Sequence, residues 1–442
     1  MIMRACLSLA LLWAIPAWSQ VVPAISGGGT QMQTPPPVSG QAFPTEVGAA
    51  VRSNFLGMGI VLNTGYVDNV PGSSGNQGVG NVTYMIRPTL TFDQTTSRQR
   101  RTFTYTPSFT FYHPTSSMNE LDQSANASFQ YRLSPHISMN ASDSFEKTAD
   151  VFNQPSLLGG PVIGSGQPSP VTVIVPFAHQ IVNTTNAGIS YQFSRNGLIG
   201  GSAFFGLLNY PNPSEASGLS NSNSLGFSGF YGTRLSSSQY IGAAYQFGHS
   251  VSSPQSIHSV TEAHSVVAFY TLYLDHAVSL SVAGGPQYYN TDITPAQAAF
   301  PSVHGWAPSI TASVGWQKSH ATFAGSYSRL VTGGGGLQGS YHLSGFNGFV
   351  GWQMARTWTI ESGGRYSATD NTGTVGTSIS QNGRTISGNI SLKHQLGDHI
   401  NAELGYSRLN QSYSGITAVA NTPDTNREYF SITYQLSRPL GR

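Results

Sequence analysis

The chain has 442 residues, of which 9% are charged and 11% are aromatic, and its formal net charge is +2. Average soluble domains carry roughly 25% charged residues, and intrinsically disordered chains are poor in aromatic residues, so neither class fits. The balanced charge without a run of Lys or Arg argues against nucleic-acid binding. No segment beyond the N-terminal region reaches about 18 consecutive apolar residues, which excludes a bundle of transmembrane helices.

The first 53 residues differ in composition from the rest of the chain. Residues 1–19 read as a signal peptide, with a basic start at Arg4, an apolar run over 5–15, and small Ala17 and Ser19 before the expected cleavage point. Residues 20–53 are rich in Pro and Gly and predict a flexible periplasmic tail. The only cysteine, Cys6, lies in the signal peptide, so we expect no disulfide in the mature chain. Residues 54–442 are expected to form one barrel.

Apolar and polar residues alternate strictly from about Asn54 to Leu436. In residues 306–316 one face carries Trp306, Ile310, Val314 and Trp316. Ten residues of a tilted strand put the two tryptophans roughly 25 Å apart along the barrel axis, which is the height of an outer-membrane apolar band. This pattern predicts transmembrane strands. The alternative is the core of a soluble two-sheet sandwich.

An aromatic ring, usually followed by Gln, recurs just before a short polar turn. The repeats fall at residues 92, 131, 191, 231, 273, 316, 352, 394 and 434, or about every forty residues. Two strands per repeat argue against a propeller blade, which needs four. We therefore predict an all-β fold, a transmembrane antiparallel up-and-down β-barrel of about 18 strands, within a range of 16–20. The predicted aromatic girdle comprises Tyr131, Tyr191, Trp306, Trp316, Trp352 and Tyr434.

Two parts of this pattern are irregular. The gap of 60 residues between repeats leaves residues 146–181 either as one long loop or as a hidden hairpin, which would give twenty strands. Its apolar stretch 171–177 fits a strand or a loop folded into the lumen. The last predicted strand, 429–436, resembles the C-terminal strand that outer-membrane insertion machinery recognises, although six residues follow it.

Strand parity predicts which charged residues line the lumen. The candidates are Arg87, Arg132, Arg234, Glu361, Arg365, Lys393 and Glu403. They either tune which solutes pass, because a water-filled pore with low-dielectric walls focuses electric fields, or form salt bridges that rigidify the wall. Arg329 and Arg408 fall on the lipid-facing parity near the outer strand ends, within reach of headgroups. Asp143 also falls on the lipid-facing parity, for which we expect a bulge or a register shift.

The sequence lacks the HExxH, GxSxG, P-loop and CxxC motifs. We therefore predict no catalytic residues, no metal and no cofactor. Two alternatives stay open at this point: a barrel-embedded hydrolase with scattered residues, and a surface metal site at His249, His258 and His264.

Short motifs in residues 55–155 carry a family resemblance. In order they are Gly65-Tyr66-Val67-Asp68-Asn69-Val70, Ile86-Arg87-Pro88, Phe103 to Pro107, Tyr131 to His136, and Asp143-Ser144-Phe145. This run resembles β-barrel porins associated with exopolysaccharide biosynthesis and export. The resemblance implies an outer-membrane barrel with a role in polysaccharide export, and it supplies no catalytic residues.

The sequence thus predicts an outer-membrane barrel of a Gram-negative bacterium that gives polar solutes passive passage, and the resemblance adds a conduit for exopolysaccharide. The alternatives are a closed structural or adhesive barrel and, third, a barrel enzyme. The expected partners are outer-membrane lipid, the insertion machinery and the solute or polysaccharide, with no nucleic acid. The oligomeric state, monomer or trimer, is left open.

Overall fold

The chain forms one closed antiparallel β-barrel of 18 strands in the computed structural model. The structure describes residues 54–72, 75–150, 152, 173, 177–253, 258–275, 277–294, 302–372, 382–414, 416 and 424–439. The strands are β1 (Asn54–Gly72), β2 (Gly75–Thr95), β3 (Gln99–His113), β4 (Glu120–Arg132), β5 (Ile137–Thr148), β6 (Gln180–Gln192), β7 (Gly197–Asn209), β8 (Asn221–Ser236), β9 (Gln239–Ser253), β10 (His258–Asp275), β11 (Val278–Thr294), β12 (Val303–Lys318), β13 (Ala321–Gly333), β14 (Ser340–Ala355), β15 (Trp358–Asn371), β16 (Gly383–Gln395), β17 (Ile400–Tyr413) and β18 (Asp424–Pro439). A short 3-10 helix, Ser116–Met118, precedes β4.

Closure of the barrel follows from the pairing of β1 with both β2 and β18. Phe55 is opposite Asp93 of β2 on one side and Pro439 of β18 on the other. Each remaining strand pairs with its two neighbours in sequence. This arrangement leaves no free edge in the sheet, and the predicted 18-stranded antiparallel barrel is confirmed.

The direct pairing of β5 with β6 decides the strand count. Thr148 at the end of β5 is opposite Gln180 at the start of β6. Residues 149–179 therefore connect two adjacent strands of the wall, and the twenty-strand alternative is wrong. The last strand is longer than expected, because β18 reaches Pro439 instead of ending at residue 436.

Large apolar side chains point out of the barrel and small polar ones point in. In β8, Leu225 and Phe227 are 39% and 49% exposed, whereas the alternating Ser224 and Ser228 are 4% and 7% exposed. Trp306 is 71% exposed on the outer surface. A belt of exposed apolar side chains around a closed sheet is the surface that hydrocarbon covers favourably. This excludes the soluble sandwich, in which these side chains would interleave in a core.

The two ends of the barrel differ. Eight short connections, two to four residues long, join even strands to the next odd strand, and both ends of the described chain lie at this edge, which we call the turn end. Longer connections, such as 149–179 and 210–220, lie at the opposite edge, the loop end.

The predicted signal peptide and tail, residues 1–53, lie outside the described residues. Within the described residues, no helix is long and apolar enough to cross a membrane.

Asp143 points outward without any irregularity of the strand. The registers of β5 with β4 and with β6 run unbroken past it, so the expected bulge or register shift is wrong. Its carboxylate accepts a hydrogen bond from the Thr185 hydroxyl at 2.6 Å and two longer ones, 3.3 and 3.4 Å, from the Asn183 amide. Polar side chains of the adjacent strand β6 thus supply the hydrogen bonds that lipid cannot.

Adjacent residues of β16 allow a test of which side chains face lipid. Ile390 is 50% exposed on the outer face, whereas Asn389 points into the lumen. We expect Ile390→Arg to destabilise the folded barrel by about 2–4 kcal/mol, because a charge near the midplane of the bilayer is costly. Asn389→Arg, the matched control, should change the free energy of unfolding little. Denaturant titration in lipid vesicles measures both, and equal losses would contradict the assignment of the two faces.

Candidate solute pathway through the barrel

The inner wall is wet near the turn end. The inward side chains of Asn126, Gln130 and Asn140 are exposed although they lie inside the barrel. Eighteen strands enclose more space than side chains fill, so such an interior holds water. Toward the loop end the inward side chains are buried instead, as at Ser222 and Thr261. The described chain therefore forms an open vestibule at one end and a narrowed mouth at the other.

The structure brings together three of the charged residues predicted from strand parity. Lys393 donates a hydrogen bond to Glu361 at 2.6 Å, and both side chains are 29% exposed. Lys393 is also opposite Glu403 in the register of β16 and β17. The Glu403 carboxylate accepts a hydrogen bond from the Tyr429 hydroxyl at 2.9 Å. These contacts form a charged band across β15–β18.

The other four predicted charges are spread around the wall. Arg365 lies on the inner face of β15, four residues from Glu361 and nearer the loop end. Arg132 and Arg234 lie at the turn end of β4 and β8, where Arg234 donates to the Ser236 carbonyl at 2.9 Å. Arg87 is 7% exposed on the inner face of β2 and belongs to a different group of charges.

The residues of the predicted aromatic girdle lie on the outer face. Tyr191, Trp316, Trp352 and Tyr434 are 43%, 37%, 49% and 44% exposed near the turn end, where Tyr131 also lies. Trp306 lies at the loop end of β12 and packs against Tyr288 with ring centroids 5.3 Å apart. Tyr273, which marks a repeat in the sequence, faces inward and packs edge-on against Tyr240.

A group of charged side chains lies near the loop end of β1–β5 and β18. Strand parity in the sequence did not show that these side chains lie together. We call it the charged patch; its members are Arg87, Glu120, Asp122, Glu146, Asp150 and Arg427. Carboxylate oxygens of Glu120, Asp122 and Asp150 lie within 4.8 Å of one another. Asp150 accepts a hydrogen bond from Arg427 at 3.1 Å. With four acids and two bases, its formal charge is −2.

Strand parity in the sequence gives the inward direction of Asp122 and Glu146 but not the position of Asp150. Asp122 and Glu146 share inward parity with Arg132 and Ser144 on their strands. Asp150, by contrast, follows the end of β5, so its position depends on how the connection leaves the wall. Its side chain accepts from the Phe152 amide, while the Arg427 guanidinium stacks 4.7 Å over the Phe152 ring.

The connection between β13 and β14 folds into the barrel. Residues 331–340, here called the inner loop, comprise the paired ends of β13 and β14 and the connection 334–339 between them. They leave the wall beyond Arg329, the last residue of β13 that pairs with β12. The Gln287 side chain on β11 binds both backbone groups of Val331, donating at 2.9 Å and accepting at 2.7 Å. The Gly335 amide donates to the Ser222 hydroxyl of β8 at 3.0 Å. The inner loop thus spans the lumen from β13 toward β8.

Glycines make this path possible. Gly334, Gly335, Gly336 and Gly339 have φ values of 79°, 66°, 93° and 76°. A residue with a Cβ atom rarely adopts such angles without strain. At Gly333 a Cβ would lie 2.5 Å from the Thr261 side chain on the opposing wall. Another residue at Gly333 would collide with the wall, and one at the four positive-φ positions would strain the backbone.

Apolar contacts hold the mouth segments together. Leu337 of the inner loop packs with Val173, Tyr341, Tyr413 and Ile416, all of them buried. Val173 belongs to the long connection 149–179, so this residue of the connection lies in the mouth; most of the apolar stretch 171–177 lies outside the described residues. Phe177 of the same connection packs against Val67, Val70 and Tyr112 on the opposite wall. Described parts of several connections therefore converge inside the barrel.

Hydrogen bonds between Glu215 and His179 fix two of these segments to each other. Glu215, in the connection between β7 and β8, accepts from the backbone amide and from Nδ1 of His179 at 3.1 and 2.9 Å, and from Asn212 at 2.9 Å. Partial burial raises the pKa of Glu215, but these hydrogen bonds outweigh it and hold the pKa below its usual value of 4.5. The charged form of Glu215 thus stabilises the folded mouth.

The histidines considered as a surface metal site make other contacts. His249 pairs with Glu262 at 3.3 Å, His258 bonds Ser253, and His264 bonds the Tyr245 hydroxyl. Among the described residues, the only group of three possible ligands within 4.8 Å is Glu120, Asp122 and Asp150, in the charged patch.

The solved structures that this chain resembles are large outer-membrane barrels. The chain resembles the siderophore receptor PiuA from Acinetobacter baumannii (TM-score 0.44, 7% identity, 88% of this chain and 82% of that one) and OpdK from Pseudomonas aeruginosa, solved with vanillate (0.39, 10%, 87% and 99%). It also resembles the ferric citrate transporter FecA (0.42, 12%, 83% of this chain), of which it covers 60%. No protein-family model and no curated protein matches the chain. At these scores the likeness carries no functional argument, and the fold rests on the strand pairing itself.

The depressed pKa of Glu215 makes the mouth sensitive to acid. A carboxylate with a lowered folded-state pKa contributes stability above its unfolded-state pKa and loses it as the pH falls through the folded-state pKa. We expect the protection of amides in residues 210–220, measured as exchange relative to the intrinsic rate at each pH, to fall as the pH drops below 4.5. The control variant Glu215→Gln should show this lower protection already at neutral pH and no step on acidification. An unchanged exchange pattern in wild-type protein would contradict this role for the pair.

Proposed function

We propose that this protein is an outer-membrane pore that gives small polar solutes passive passage. The observation that carries the proposal is a closed barrel with a wet inner wall whose mouth is narrowed by the inner loop. Exposed apolar side chains around the outside favour a lipid environment. We infer an outer-membrane location in a Gram-negative bacterium, with the turn end in the periplasm and the loop end outside.

The charges along the pathway favour neutral or cationic solutes. With all six side chains ionised, the charged patch carries a formal charge of −2 beside the mouth. In the narrow, low-dielectric mouth such a charge attracts cations and repels anions more strongly than it would in bulk water. The band of Glu361, Lys393 and Glu403 lies deeper and contains both signs. We propose that the first group selects by charge and that the second rigidifies the wall.

The export of exopolysaccharide, which the family resemblance implied, places a further demand on the structure. A polymer chain would need the inner loop to leave the lumen, breaking its hydrogen bonds to Gln287 and Ser222.

A closed structural barrel is the second candidate, and the apolar packing of Leu337, Tyr341 and Ile416 in the mouth favours it. We propose no catalytic role and no cofactor for this barrel.

Planar-bilayer recordings separate these functions. We expect stepwise conductance that is cation-selective, and liposome swelling with monosaccharides that decreases steeply for larger oligosaccharides. A correctly folded sample, verified by a heat-modifiable shift in gel mobility, that gives no conductance steps would support the closed barrel instead. Entry of long oligosaccharides, together with loss of polysaccharide secretion on deletion of the gene, would support the polymer conduit.

Gln287 tests whether the inner loop is the constriction. Gln287→Ala removes two hydrogen bonds to Val331, each worth about 1 kcal/mol. The loss should shift the ratio of displaced to seated loop by roughly 30-fold. We expect larger or more frequent open states in single-channel recordings. The matched control is Gln246→Ala, an inward glutamine of β9 that has no hydrogen bond to the inner loop in the described part of the chain. Equal conductance in the wild type and in Gln287→Ala would disprove the constriction.

A further inference from the structure

Two outward-facing arginines lie in one register row on the lipid-facing wall near the loop end. Arg329 of β13 is opposite Ser344 of β14, Ser344 is opposite Ala368 of β15, and Ala368 is opposite Arg384 of β16. Three strand spacings separate the two arginines by roughly 14 Å. Because the two residues between them are small, both guanidinium groups have a clear path to a group seated over Ser344 and Ala368.

Both arginines are available for a ligand. Arg329 and Arg384 are exposed, and neither takes part in an ion pair within the described residues. Arg408, also on the lipid-facing wall, differs because it binds Asp424 at 2.8 Å.

The titratable side chains next to the row, apart from tyrosines, lie one step closer to the loop end. They are His342 and Asp370, which are opposite each other on β14 and β15. Even with the Asp370 carboxylate included, the two arginines leave a formal charge of +1, with His342 neutral. The row therefore favours an anion.

The surface below the row suits acyl chains. The next outward row toward the membrane centre consists of Tyr327, Phe346, Tyr366 and Ile386, which are 38%, 51%, 42% and 47% exposed. The row after that consists of Gly325, Gly348, Gly364 and Gly388. At Gly364 and Gly388 a Cβ atom would meet only backbone atoms, which leaves a shallow groove beside the row of large side chains. At Gly348 and Gly325 the rings of Phe346 and Phe323 border this groove. Such a groove accommodates hydrocarbon in contact with the rings.

The row that contains Arg329 lies at the depth of lipid headgroups. Arg329 lies eight residues beyond Ala321, where β13 begins at the turn end. A tilted strand rises roughly 2.5 Å per residue along the barrel axis, so Arg329 is about 20 Å above the turn end. The apolar band of an outer-membrane barrel is about 25 Å tall. An arginine at this depth reaches the loop-end interface with its guanidinium group.

We propose that Arg329 and Arg384 bind the phosphate groups of a phosphorylated glycolipid of the outer leaflet, with its acyl chains lying over the aromatic row and the glycine groove. Guanidinium groups bind phosphate with paired, charge-assisted hydrogen bonds. The occupant is a lipid because the site lies on the apolar outer wall, where a free anion would have to leave water. This inference rests on the outer-membrane placement and orientation proposed above.

Binding of defined lipids to the full-length barrel in detergent, followed by native mass spectrometry, tests the proposal. The probes are bis-phosphorylated lipid A, the same lipid without phosphates, and inorganic phosphate. We expect the double variant Arg329→Gln/Arg384→Gln to bind the phosphorylated lipid at least roughly tenfold more weakly. Binding of the dephosphorylated lipid should be weak in wild type and unchanged by the double variant. Inorganic phosphate should not compete at millimolar concentration.

The matched control removes two positive charges from the turn end. Arg101 and Lys318 are exposed there, and Arg101→Gln/Lys318→Gln should bind the phosphorylated lipid like wild type. Equal loss in both double variants, or no loss in either, would overturn the proposal, as would equal binding of the dephosphorylated lipid. Heat-modifiable gel mobility verifies the fold of each variant. Bilayer conductance should be the same in wild type and in Arg329→Gln/Arg384→Gln, so failure of the lipid site and failure of the pore are distinguishable.

Discussion

The structure depends on one constraint, the hydrogen bonding of the backbone where no water is present. Each unsatisfied amide or carbonyl group in hydrocarbon costs several kcal/mol. An open sheet would expose two rows of such groups, and the pairing of β1 with β18 removes both. Once the sheet is closed, the two-residue period of a strand separates the side chains into an outer and an inner set. The apolar belt and the wet lumen are both consequences of this closure.

The same constraint explains why polar residues on the outer wall are found with partners or near its ends. Asp143 is surrounded by hydrogen-bond donors from β6, Thr185 and Asn183. Arg408 is paired with Asp424, near the loop end. Arg329 and Arg384 lie at interfacial depth, where a headgroup provides the counter-charge. Depth and local partners together determine which polar side chains the outer wall tolerates.

Polar side chains cost little in the lumen, because water there can form hydrogen bonds with them. Selectivity must then come from whatever narrows the passage. The inner loop does so with backbone groups bound to Gln287 and Ser222 and with glycines in left-handed conformations. The charged patch borders the mouth from the opposite side of the barrel. The pathway is thus narrow at its mouth and open at its turn end.

The sequence alone determined the class of fold, because alternation and aromatic repeats are local properties. The nine repeat positions from 92 to 434 fall near the turn ends of the nine even-numbered strands, and the register of Lys393 with Glu403 follows from one short turn. Only the tertiary structure decided how the long connections use the lumen. Val331 and Gln287 are 44 residues apart, Gly335 and Ser222 are 113 apart, and Arg427 and Asp150 are 277 apart. Such contacts depend on the closed shape of the barrel, which brings distant loops to one mouth, and no local period encodes them.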